Sequence, residues 1–125
     1  MKKIIATDKA PKAIGPYSQA VEVNGMLFVS GQIPLDPATG ALSDADIETQ
    51  TRLVMNNIGE ILRQAGYGFE NVVKTTCLLA DINDFAAMNK VYGEYFPTDA
   101  PARSAFAVKS LPKGARLEIE TIAAK

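Results

Sequence analysis

Arg103 stands in the segment Pro101-Ala102-Arg103-Ser104-Ala105-Phe106-Ala107. Strand alternation puts Arg103, Ala105 and Ala107 on one face and Ser104 and Phe106 on the other. An arginine flanked by alanines has open space beside it, and a guanidinium in such a clearing offers a rigid fork to a carboxylate or phosphate. The ordinary alternative is an ion pair with Glu118 or Glu120, since most ion pairs are structural. Those glutamates alternate with apolar residues in Arg116-Leu117-Glu118-Ile119-Glu120. They share a strand face about 7 Å apart, a separation resembling the paired carboxyls of glycosidases. Any half-exposed strand has the same look, and a single glutamate activating water beside an arginine is the more economical chemistry.

Histidine is absent, which removes Ser-His-Asp and Cys-His catalysis, imidazole bases and His-ligated metals. Cys77 is the single cysteine; it makes no internal disulfide and no zinc site alone, and in a strand-like run it reads as a small buried hydrophobe. Tyr17, in Ile14-Gly15-Pro16-Tyr17, offers a cleft both a wall and a polar tip. Gly31-Gln32 is a second piece that can line a cleft, beside its simpler reading as turn geometry. Lys109 and Lys113 read as solvated. No GxGxxG or GxxxxGK pattern occurs, so nucleotide cofactors have no support. With 13 Lys+Arg against 14 Asp+Glu and a net charge of -1, the chain has no field to draw in a phosphate backbone, and no nucleic-acid partner is expected. No stretch approaches the ~20 apolar residues of a membrane span, and no apolar signal core follows Lys2 and Lys3. The expectation is a soluble cytoplasmic protein with no membrane partner.

The elements that must position these residues follow from periodicity. A chain of 125 residues, 47% hydrophobic, suits one globular domain over residues 1–125. Strands are expected at 3–6, 20–23, 26–30, 71–79, 102–108 and 116–123, rich in apolar and β-branched residues. Asn24-Gly25 between two of them is a hairpin signal, and Gly31 and Pro34 end the third strand. Ile47, Val54, Ile58, Ile61 and Leu62 recur at helical steps, with Ser43 or Asp44 as cap and Gly66 as stop. Phe85, Met88, Val91, Tyr92 and Tyr95 form the stripe of a second helix, capped by Asp81 or Asn83 and stopped by Pro97. The order β-ββ-α-β-α-ββ predicts an α+β fold, two helices on one face of a mostly antiparallel six-stranded sheet. The other face also carries apolar residues, so it is expected to pack against copies of the chain.

Several segments together resemble the Rid family, closest to its RidA subgroup. They are Ala13-Ile14-Gly15-Pro16-Tyr17-Ser18-Gln19-Ala20, Val29-Ser30-Gly31-Gln32-Ile33-Pro34, Asn71-Val72-Val73-Lys74-Thr75-Thr76, Pro101-Ala102-Arg103-Ser104 and Leu117-Glu118-Ile119-Glu120-Thr121-Ile122-Ala123. The resemblance implies a chorismate-mutase-like (bacillus type) α+β fold with a mixed sheet, assembled as a homotrimer with three clefts between subunits. It implies hydrolysis of 2-imino and enamine acids such as 2-iminobutanoate and 2-iminopropanoate to 2-oxo acids and ammonia. That activity needs no cofactor or metal and protects pyridoxal-phosphate enzymes from reactive by-products.

Carried over by motif, Arg103 is the carboxylate-binding arginine and Glu118, in the last strand, is the catalytic acid–base. Tyr17, Ser30 and Gly31 match cleft-lining positions, as does Asn89 on the second helix. Many active members have cysteine two residues after the arginine, where this chain has Ala105; the backbone carbonyl at Ala105 is left to accept a hydrogen bond from the substrate. The alternatives are a non-catalytic trimer that binds small carboxylates, a ribonuclease or translation inhibitor, and a holdase chaperone. RNA cleavage is physically unattractive for a chain with neither histidine nor a basic-aromatic stripe.

Overall fold

The computed structural model describes residues 1–125. Lys3–Ile5 (β1) pairs antiparallel with Ala20–Val23 (β2), which turns back into Met26–Gln32 (β3). The turn is Asn24-Gly25, with φ of 51° and 73°. Both residues are left-handed, as a two-residue hairpin loop of type I′ requires. The third strand runs on through Gly31, beyond the expected stop, because its register shifts between Val29 and Gln32. Ser30 and Gly31 together face one residue of the partner strand there, which is a β-bulge.

Ile47–Gln64 forms α1. Its cap is Asp46, whose carboxylate accepts from the Thr49 amide at 2.8 Å, in place of the expected Ser43 or Asp44. The Ser43 hydroxyl is used one turn earlier, on the Ala45 amide. Gly66, at φ 82°, ends the helix as expected. The Tyr67 amide donates to the Leu62 carbonyl and the Gly66 amide to the Arg63 carbonyl, the paired bonds of a Schellman cap. Val72–Leu79 (β4) leads to Phe85–Tyr95 (α2). Asp81 caps only the preceding 3₁₀ turn, through the Asn83 amide. Asp84 occupies the start of α2 with its carboxylate turned to Arg116 at 2.9 Å.

Ala102–Ala107 (β5) and Leu117–Ala124 (β6) complete a six-stranded sheet ordered β1-β2-β3-β6-β4-β5. Only β4 and β5 run parallel, so the sheet is mixed and mostly antiparallel, with the expected count. Leu27, Cys77, Leu79, Leu117 and Ile119 pack beneath Val54, Ile58, Leu62 and Met88 in one core. The opposite face has no helices. Ile4, Val21, Phe28, Ile122, Lys74 and Ala102 form one row across it. On that face Ile4 (53%), Phe28 (43%) and Phe106 (48%) stay exposed. No helix is long and apolar enough to cross a membrane.

Candidate functional site

The β3 bulge decides where Glu118 can sit. It turns Ser30 and Gly31 toward the helix-free face, where Glu118 projects from β6 between the buried Leu117 and Ile119. Gly31 leaves the carboxylate its place: a Cβ there would fall on the Glu118 carboxylate and displace it. Burial first, and repulsion from Glu120 second, push the Glu118 carboxyl above the ordinary glutamate range. The Ser30 hydroxyl donates to the Ser18 carbonyl at 2.6 Å and its amide to the Gln19 carbonyl at 2.9 Å, which ties the bulge to the preceding loop. Gln19, itself buried, accepts from the Thr7 amide at 2.7 Å and donates to the Pro11 carbonyl at 2.8 Å. Its side chain thereby fixes the segment that carries Lys12, Ile14 and Tyr17. Tyr17, Ser30, Gly31 and Glu118 line one groove of about 540 Å³, with Lys113 and Glu120 on its wall.

Arg103 lies elsewhere. Its strand neighbour Thr75 is buried under the helices, so Arg103 points to the helix side of the sheet, at the β5 edge. One guanidinium nitrogen donates to the Asn89 side-chain oxygen at 2.7 Å. The guanidinium carbon stands 4.7 Å from the Tyr92 ring centre and 5.4 Å from that of Phe85, within reach of cation–π attraction. Tyr92 is fixed in turn by a 2.7 Å hydrogen bond between its hydroxyl and that of Thr75. Ala105 is paired with Cys77 in the next strand. Cys77 is 1% exposed, and burial pushes its thiol up to about 11, so it is the inert small hydrophobe expected. The ion pair of Arg103 with Glu118 or Glu120 does not form, because the sheet separates them.

The chain therefore brings Tyr17, Ser30, Gly31 and Glu118 together, and separately brings Arg103, Asn89 and Ala105 together. The two groups lie on opposite faces of one sheet. Sequence reasoning placed Phe85 and Tyr92 only in a core stripe and missed that they hold the guanidinium. Their spacing with Asn89, at i, i+4 and i+7 on one helix face, was the available signal. No cluster of three His, Cys, Asp or Glu side chains is placed to hold a metal ion.

A family model described as Endoribonuclease L-PSP matches residues 7–125. The 2-iminobutanoate/2-iminopropanoate deaminase of Capra hircus is 54% identical, over 98% of this chain and 90% of that protein. The structure of YyfA from Yersinia pestis, of the conserved Rid protein family and of unknown function, superposes with a TM-score of 0.97 at 51% identity, covering all of both chains. That of E. coli TdcF with bound serine gives 0.94 at 44% identity, over 98% of each chain.

Proposed function

Because the chain belongs to the endoribonuclease L-PSP, or Rid, family, we propose that it is a 2-iminobutanoate/2-iminopropanoate deaminase, working as a single domain in the cytoplasm. The observation that carries the mechanism is the division of the matched residues into two half-sites that one chain cannot join. A complete site forms when a second copy brings its Arg103 edge against the Glu118 groove. The exposed apolar residues of the helix-free face supply the contact, and the assembly is a homotrimer with three such seams.

In the seam, Arg103 grips the substrate carboxylate with two charge-assisted hydrogen bonds. Asn89 occupies one guanidinium nitrogen and so fixes the fork's direction. The protonated imine carbon is already electrophilic, and the protein's task is to orient water against it. Glu118 takes a proton as the water oxygen bonds to that carbon, giving a carbinolamine. It returns the proton to nitrogen, the C–N bond breaks, and the hydroxyl closes to a carbonyl as its proton leaves with ammonia. The products are a 2-oxo acid and ammonium. Ser30 and Tyr17 wall the groove, and the Ala105 carbonyl receives an N–H of the iminium. The amino acid bound to the E. coli relative has the same carboxylate and α-nitrogen, which supports a ligand of this shape.

The test is Arg103→Ala in an assay coupled to threonine dehydratase, with semicarbazide capturing the imine. The kcat/KM falls by about a thousandfold while the assembly stays folded, since the carboxylate anchor is lost from the transition state as well as from the ground state. Near-normal turnover would refute the grip. Wild-type protein that binds 2-oxobutanoate yet leaves imine decay unaltered would instead indicate a non-catalytic binder.

A further inference from the structure

The groove beside Glu118 continues outward into a second cavity of about 320 Å³, bounded by the turn at Pro37 to Gly40. The two cavities share a wall that includes Lys12, Ile14, Leu35 and Lys113. Lys12 and Lys113 are the only charged residues lining the outer one, and the carboxylate of the bounding turn, Asp36, is engaged by the Ala38 and Thr39 amides at 2.8 and 3.0 Å. Neither lysine takes part in any ion pair of the molecule. Lys113 is also held at φ 58°, directly before Gly114 at φ 71°. A side chain in the left-handed region is strained, and such strain concentrates where a side chain is wanted for its own sake.

An apolar wall leading to two unpaired cations suits a short methylene chain that ends in an anion. We propose that the outer cavity receives the distal carboxylate of 2-imino dicarboxylic acids, such as the imine formed by oxidising glutamate. This assignment rests on the imine-hydrolysis reading. Arg103 and Glu118 then act on the α-carbon, Ile14 and Leu35 flank the methylenes, and Lys12 and Lys113 hold the far charge. The reaction that supplies such a substrate is the oxidation of an acidic amino acid.

Calorimetry with the products 2-oxoglutarate and 2-oxobutanoate tests the assignment without turnover. The wild-type protein binds 2-oxoglutarate more tightly, and Lys12→Ala combined with Lys113→Gly lowers that preference about tenfold through loss of two charge contacts. Glycine suits the left-handed position, so Lys113→Gly keeps or raises Tm. In kinetics, with imines released by amino-acid oxidases and trapped by semicarbazide, the kcat/KM ratio of diacid to 2-iminobutanoate falls likewise. Equal binding of the two oxo acids by the wild type, or a preference that survives the double substitution, overturns the proposal. Failure of the deaminase reading shows differently, as loss of hydrolysis of both imines with the binding preference intact.

Discussion

Glu118 sits close to the backbone of Gly31 because that residue has no side chain, and this closeness sets two expectations. In the proposed role of general base the group must be ionised to accept a proton from water, and its pKa is raised by burial and by Glu120. Activity therefore falls as pH drops through that raised value, with an acid limb above that of a solvated glutamate. Glu118→Gln lowers kcat by about a hundredfold or more, the usual span for a lost general base, and flattens the limb. Because the folded pKa is raised, the residue favours folding below its unfolded pKa and loses that contribution as pH rises through the folded value. Glu118→Gln accordingly raises Tm at neutral pH. Gly31→Ala drives a methyl group into the carboxylate; it costs about a hundredfold in kcat/KM, the scale of an ångström's misplacement, with little change in 2-oxo acid binding at Arg103. Wild-type kinetics for Gly31→Ala would show that the carboxylate position is not critical.

The elements show what a sequence discloses and what it withholds. Asn24-Gly25 and Gly66 were legible because each meets a local demand for positive φ. The cap of α1 was displaced to Asp46 because several short polar residues precede Ile47 and only hydrogen bonding selects among them. Asp46→Ala removes that bond and should cost about 1 kcal/mol in denaturant unfolding, while Ser43→Ala or Asp44→Ala should cost a few tenths. Arg103 and Glu118 stood out in the sequence as candidates, but the faces they occupy did not. Alternation along one strand says which residues share a side, and only register says which side that is. Register here depends on the parallel pairing of Thr75 with Arg103 and on the bulge at Ser30-Gly31, neither of which has a local signature strong enough to read.

At the scale of the assembly, separated half-sites predict complementation between inactive copies. Arg103→Ala retains a working Glu118 groove, and Glu118→Gln retains a working Arg103 edge. In the proposed homotrimer, equal mixing with subunit exchange gives mixed trimers that each hold one intact seam, so about one quarter of wild-type activity returns. No recovery after proven exchange would mean that both groups serve within one chain. Phe28 and Phe106 on the helix-free face make such exchange sensitive to the protein's dilution. The only sulfhydryl of the molecule, that of Cys77, lies sealed in the core directly beneath the Arg103 edge, and Ala105 presents a methyl group beside it. Buried and kept protonated, that thiol offers thiol-seeking oxidants and alkylating reagents no target in the folded protein, although it stands one strand in from the sheet edge.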